Sequence, residues 1–317
     1  MRPLSVILCT RNRCVHLAQA LNYLAGCAIP QGWEAEFLIV DNGSSDATKK
    51  TVTMARRRFC HPLRYIYEPT AGLSWARNAG VSAAAGELIA FTDDDCEVSS
   101  AWLTELAAAF EEYADAAAVF GQVRIAEGAP TEHAVAFKLD AQPKFYRYPA
   151  SPLGIGHGNN MAFRREALSE VGEFDVALGA GGPLRSAEDL DIAYRLLRHG
   201  YMLVYDPRCV IFHRPRETAA QLDAAHWRNA VGIGACFGKY LLRGDLQALK
   251  CLYWLLSGLP ASALRQLRRR EYRELKMKWL YAFGIPYGIM KRSIYLLYGT
   301  PRPASLSGSS GGDSVPS

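Results

Sequence analysis

No stretch of 18 or more residues in this 317-residue sequence is both apolar and free of charge, so the usual signature of a membrane-spanning helix is missing. Eight cysteines stand at 9, 14, 27, 60, 96, 209, 236 and 251, and none forms a Cys-x-x-Cys pair. That scatter argues against a zinc ribbon or a disulfide framework, and reduced thiols in a cytoplasmic protein are the simpler account. A secretory leader is not expected. Met1-Arg2-Pro3 runs straight into an apolar stretch over 4–10 that is too short and lacks a small-residue cleavage site. Internal repeats are absent. No glycine-rich loop follows the first apolar run, where Thr10-Arg11-Asn12-Arg13 stands instead. That argues against a nucleotidyltransferase. No nucleic-acid module accompanies the basic residues, and a basic stripe alone gives only nonspecific affinity, so nucleic acid is not an expected partner.

What is present fits one large α/β domain with an appendage: half the residues are hydrophobic and 21% are charged, enough for a sizeable core. Charge is unevenly placed. Residues 216–302 carry 15 Lys and Arg against 5 Asp and Glu, a net +10, while the remainder carries 21 against 26, a net −5. Apolar runs predict strands over 4–10, 36–40, 64–67, 87–91 and 117–123. Helical periodicity predicts helices over 15–25, 46–58, 73–84 and 100–112. Strands separated by helices of this length imply βαβ units and a mainly parallel sheet. Residues 126–158 read as a long excursion near a site. A strand over 160–164, a glycine-rich loop over 179–183, a helix over 187–199 and two short strands over 202–206 and 209–213 follow. The expected division is 1–215 for the catalytic domain, 216–300 for a basic amphipathic helical extension, and 301–317, rich in Ser, Gly and Pro, for a disordered tail.

Three consecutive acids, Asp93, Asp94 and Asp95, end the run over 87–92. The carboxyl ends of strands are where open α/β sheets bind ligands, and adjacent carboxylates repel unless a cation sits among them. A divalent cation with substrate phosphates in its shell suits such oxygens; a solvated acidic turn is the plain alternative. Asp41 ends another strand in Leu38-Ile39-Val40-Asp41-Asn42-Gly43-Ser44-Ser45-Asp46 and can accept from a base N–H or a ribose hydroxyl, or the segment is a capping turn. A helix starting after Gly72 would aim its amino end at an anion and let Arg77 grip diphosphate as a planar fork, unless Arg77 is simply solvated.

Taken in order, the opening Thr10–Arg13 segment, the strand end at 38–46, Gly72-Leu73-Ser74-Trp75-Ala76-Arg77-Asn78, Phe91-Thr92-Asp93-Asp94-Asp95, Gly158-Asn159-Asn160 and Ala187-Glu188-Asp189-Leu190-Asp191 resemble the family 2 glycosyltransferases over about residues 4–213. The resemblance implies the GT-A fold: an α/β, Rossmann-like mixed sheet flanked by helices, here with a C-terminal helical extension. It implies that Thr10, Arg11, Asp41, Arg77, Asp93 and Asp94 hold a nucleotide-sugar donor, most often a UDP-sugar. Asp95 and His213 would take Mn²⁺ or Mg²⁺, Asp189 with Glu188 would serve as the catalytic pair with Asp189 the general base, and Asn159 and Asn160 would face the acceptor. Arg164 and Arg165 divide between structure and acceptor phosphate, and Asp191 reads as a packing or surface carboxylate. One in-line displacement would invert the anomeric carbon. The Gln-x-x-Arg-Trp motif of processive synthases is absent, which favours one sugar per encounter. A glycan or lipid-linked acceptor is expected, with peripheral contact at the inner face of an anionic membrane from the basic, aromatic extension. The rival readings are a sugar-nucleotide-binding module without turnover and a nucleotidyltransferase.

Overall fold

The structure, a computed structural model, describes residues 1–128, 137–214, 218–257, 266–268, 270 and 272–299. The 301–317 tail and the 215/216 boundary lie outside them. Four strands open the chain: β1 (Arg2–Thr10), β2 (Trp33–Asp41), β3 (Leu63–Tyr67) and β4 (Leu88–Asp93). They alternate with α1 (Cys14–Ala25), α2 (Thr48–Ala55) and α3 (Leu73–Ala83). β5 (Cys96–Val98), α4 (Trp102–Glu112), β6 (Ala116–Ile125), β7 (Lys144–Tyr146), β8 (Met161–Arg164), α5 (Arg165–Val171), α6 (Glu188–Arg198) and β9 (Met202–His213) complete the body.

The strands lie in the order β3-β2-β1-β4-β8-β6-β9-β5, with β7 on β9. β1 pairs in parallel with both β2 and β4, so the chain winds first to one side of β1 and then to the other. That reversal opens a crevice at the strands' carboxyl ends. The register sets Thr10 opposite Asp41 and Cys9 opposite Asp93, which gathers three predicted site strands at one rim. β1, β2 and β4 are almost continuously apolar because both faces are covered. Leu4, Val6 and Leu8 pack with α1 and α4, while Ile7 joins Phe91, Ile192 and Leu196 on the opposite face.

Several boundaries differ from the sequence expectation. The two strands expected over 202–213 are one, with a register shift where Gly121 pairs with Asp206 and Gln122 with Val210; Pro207, which cannot donate to a ladder, falls in that bulge. α2 is shorter than expected because Asp46 turns back on Thr48 N and Oγ1 at its start and a 3-10 turn, Arg56–Arg58, replaces its end.

The extension is helical where described: α7 (Ala219–Leu241), α8 (Leu246–Ser257) and α9 (Tyr272–Tyr298). Among the described residues no helix is long and apolar enough to cross a membrane. α7 and α9 meet backbone to backbone. A Cβ on Gly234 would lie 2.0 Å from Ile285 O, and one on Gly288 would lie 2.1 Å from Val231 O, so only glycine fits there. The pair shares a core with Leu178, Leu184 and Tyr194 of the body. Asp191, fully buried, accepts from Tyr240 Oη and Lys239 Nζ, both at 2.8 Å, and from Arg195 Nε at 2.9 Å. Lys239 also reaches Asp175 at 3.1 Å, and Arg292 of α9 pairs with the same carboxylate. Asp191 is thus the packing carboxylate of its two expected roles.

Candidate active site

β4 ends at Asp93 and the chain turns through Asp94 and Asp95 into β5. Asp94 is buried; its Oδ2 accepts from Thr10 Oγ1 at 2.7 Å and its Oδ1 lies 2.8 Å from Arg13 Nη1. The same Arg13 nitrogen lies 3.0 Å from Asp95 Oδ2. Antiparallel pairing sets Cys96 opposite His213, which brings His213 Nε2 to 3.5 Å from Asp95 Oδ1. The two predicted metal ligands, 118 positions apart in the chain, are therefore neighbours. Burial pushes Asp94 up to about 7 and raises Asp93, against the pull of Arg13 and Arg77 respectively. At Asp95 burial also opposes ionisation, but the His213 hydrogen bond and Arg13 outweigh it and hold the carboxyl below the usual carboxylate range. A cleft of about 290 Å³ opens here, lined by Thr10, Arg11, Arg13, Asn42, Asp93, Asp94, Asp95 and, from the glycine-rich loop, Ala180 and Gly181. Among the described residues no group of three or more His, Cys, Asp or Glu is disposed to hold a metal alone. The Asp95–His213 pair nevertheless supplies oxygen and imidazole donors that suit Mn²⁺, with room beside them for phosphate oxygens.

Asp41 braces the turn below this cleft. Its Oδ1 accepts from Ser44 N at 2.8 Å and its Oδ2 from Tyr65 Oη at 2.7 Å. Each carboxylate oxygen keeps a second lone pair, but it is Asn42, not Asp41, that lines the cleft. The α3 amino end borders the cleft through Gly72, Leu73 and Ala76, with Leu73 N donating to Ala180 O at 2.8 Å and Gly72 N to Asn42 Oδ1 at 2.8 Å.

Arg77 departs from its expected role. It is buried, its Nη1 donating to Glu188 Oε1 at 2.7 Å and its Nη2 to Gly158 O at 3.0 Å. Nη2 also lies 4.0 Å from Asp93 Oδ1. The guanidinium lies beside the paired rings of Phe91 and Phe174, 5.8 and 5.5 Å from their centroids. Its fork is spent inside the protein, so it ties the acid run to the start of α6 rather than gripping diphosphate. Glu188 is correspondingly a positioning residue. Burial raises it to about 7, with Arg77 opposing.

Asp189 is half-buried and lines a second cleft of about 320 Å³, together with Phe120, Leu153, Ile155, His157, Leu190, Ile233 and Tyr281. Gly158 stands between the two clefts' machinery: a Cβ there would lie 2.9 Å from Arg77 Nη2 and 3.1 Å from Asp189 Oδ2. Immediately before α6, Arg185 and Ala187 both have positive φ, 82° and 74°, a costly conformation for residues with a Cβ. α7 holds that turn from outside, where a Cβ on Gly232 would lie 2.6 Å from Ser186 O. Strain at this point is a positional device: it aims the first carboxylates of α6 inward.

The two asparagines part company. Asn160 is fully buried; its Oδ1 accepts from Trp102 Nε1 at 2.9 Å, and its Nδ2 donates to Gln122 O at 2.9 Å and Cys209 O at 2.8 Å. With its hydrogen bonds spent on α4, β6 and β9, it is a structural pin and not an acceptor ligand, contrary to expectation. Asn160→Ala is expected to lower unfolding free energy by about 2–4 kcal/mol, since three buried partners lose their bonds; chemical denaturation measures this. Asn159 Oδ1, by contrast, is buried with no hydrogen-bond partner. Arg164 donates to the carbonyls of Phe110, Ala114 and Ala116, and Arg165 to those of Ala84 and Gly86. Both are structural. Sequence reasoning passed over Arg13 and His157. Arg13 sits in the quoted Thr10–Arg13 segment, whose second arginine was the available signal. His157, its Nε2 3.1 Å from Phe137 O and its proton affinity lowered by burial, carries no such mark.

The chain resembles known proteins in sequence and in fold. The chain is 28% identical over 216 residues to the succinoglycan biosynthesis protein ExoM of Rhizobium meliloti, covering 68% of each. A mannosyltransferase, PcManGT from Pyrobaculum calidifontis, in complex with GDP-Man and Mn²⁺, superposes with a TM-score of 0.61 at 20% identity, covering 95% of this chain and 77% of that one. S. aureus TarS 1–349 in complex with UDP-GlcNAc superposes with a TM-score of 0.55 at 18% identity, covering 92% and 93%. These likenesses establish the GT-A fold. The sequence model of glycosyl transferase family 2 matches residues 5–172, more than half of the chain. That stretch takes in Asp41, Arg77 and the acid run, and the chain belongs to glycosyl transferase family 2.

Proposed function

We propose that this glycosyltransferase is metal-dependent and inverting, moving one sugar from a nucleotide-sugar donor to a hydroxyl acceptor. The observation that carries the reading is the pairing of two clefts: one rimmed by Asp93, Asp94 and Asp95, the other by Asp189, with Arg77 joining Asp93 to Glu188 between them. Asp95 and His213 would hold Mn²⁺ or Mg²⁺, which neutralises charge on the departing nucleoside diphosphate. Asp93, with Thr10, Arg11 and Asn42, orients the donor in the first cleft, and Asp41 fixes the turn that carries Asn42. Asp189 takes the acceptor hydroxyl's proton as the new bond forms at the anomeric carbon. Attack from the second cleft, opposite the leaving group, inverts that carbon.

A UDP-sugar is the expected donor, with GDP- and dTDP-sugars next. The second cleft has apolar walls from Phe120, Leu153, Ile155 and Ile233, which favours a glycan on an apolar carrier, met by peripheral contact at the inner face of an anionic membrane. Incubation with nucleotide sugars is expected to release nucleoside diphosphate faster with Mn²⁺ than with a chelator. Pyrophosphate as the product would replace the reading with nucleotidyl transfer, and donor binding with no release under any acceptor would leave a binding module.

A further inference from the structure

We propose that the outward face of α9 seats the protein on an anionic lipid bilayer. Trp279, Phe283, Tyr287, Met290, Ile294 and Leu297 are between 40% and 77% exposed. Their spacing of three and four residues aligns them within about 80° of helix arc, over a length of about 27 Å. Isolated exposed apolar residues are ordinary, but an aligned stripe of six is a patch that marks a partner. The helix's other side is already occupied: Gly284, Ile285, Gly288 and Arg292 are buried, the glycines against α7.

Charge names the partner. Arg273 and Lys276 directly precede the stripe, Lys276 also pairing with Asp223, and Lys291 lies along it, while Glu274 is the helix's one acid. An apolar stripe beside clustered cations is the pattern of helices that lie in a headgroup layer, where anionic lipids attract each cation. Two copies of this chain meeting through the same face would bring together extensions that each carry net +10, which self-repulsion disfavours. The stripe also bears on the acceptor. Tyr281, about 160° around the helix from the middle of the stripe, lines the cleft that holds Asp189. A hydroxyl presented from the bilayer surface would then be separated from that cleft by about one helix diameter, 10–12 Å. The inference rests on, and deepens, the proposed membrane contact; it does not depend on which donor is used.

The test is co-sedimentation of the full chain with phosphatidylglycerol-containing vesicles and with phosphatidylcholine-only vesicles. The protein should pellet with the first, less with the second, and less at high salt. The double substitution Phe283→Glu and Ile294→Glu should cut partitioning by at least about tenfold while leaving circular dichroism, thermal unfolding and vesicle-free nucleoside diphosphate release unchanged. The proposal is overturned if the double variant pellets like the parent, if the parent does not pellet at all, or if the parent is a dimer that the substitutions convert to a monomer. Docking with no diphosphate release would count against the catalytic reading alone.

Discussion

Asp189→Asn is expected to lower kcat by about 10²–10⁴-fold, the usual contribution of a positioned general base. Asparagine keeps the side chain's shape and can still accept from Leu190 N, which donates to Asp189 Oδ1 at 2.8 Å. It cannot take a proton at pH 7. Donor affinity should hold, because Asp189 lines the second cleft and the proposed donor contacts line the first. Steady-state turnover together with calorimetric donor binding separates the two effects. Normal turnover in this variant would remove Asp189 as the base. A parallel loss of donor affinity would instead point to a collapsed Arg77–Glu188 tie.

Asp95→Ala is expected to abolish the metal dependence of donor binding. His213 and Arg13 hold the Asp95 carboxyl below the usual carboxylate range, and its Oδ1 lies 3.5 Å from His213 Nε2 at the edge of the cleft. Without it, His213 would lose the carboxylate neighbour with which it would hold the ion. A metal contact to diphosphate supplies several kcal/mol of charge stabilisation, so donor affinity in Mn²⁺ should fall about 100-fold or more, toward the value in chelator. Titration calorimetry of donor with and without Mn²⁺ reads this directly. An unchanged Mn²⁺ effect would reject the assignment.

The fold was legible where physics acts locally. Residues 4–10, 36–40 and 87–91 read as strands because burial on both faces leaves no polar alternation. The acid run announced a site because it ends such a strand. What escaped the sequence was set by long-range pairing. Arg77 looked like an anion fork at a helix start, but Glu188, 111 positions away, claims it. Asn160 looked like a sugar ligand, yet three distant strands and helices consume its amide. Arg13 was one basic residue among several until the turn at 94–95 folded against it. β5 and β7 are only three residues long, too short for any periodicity to show. The helical nature of the extension was readable, but its glycine contacts depend on a crossing that sequence spacing alone does not fix.

The buried cluster of Asp175, Asp191, Lys239 and Arg292 has a practical corollary. A chain shortened to end before α7 would retain both carboxylates and lose Lys239 and Arg292, leaving Asp175 without its cations and Asp191 with Arg195 alone. The same cut would uncover Leu178, Leu184 and Tyr194, which share a core with those helices, and a contiguous exposed apolar face drives association. Trimming to the catalytic core should therefore yield aggregate rather than a smaller working enzyme, and unfolding of the intact chain should pass through a single transition that melts the body together with α7, α8 and α9.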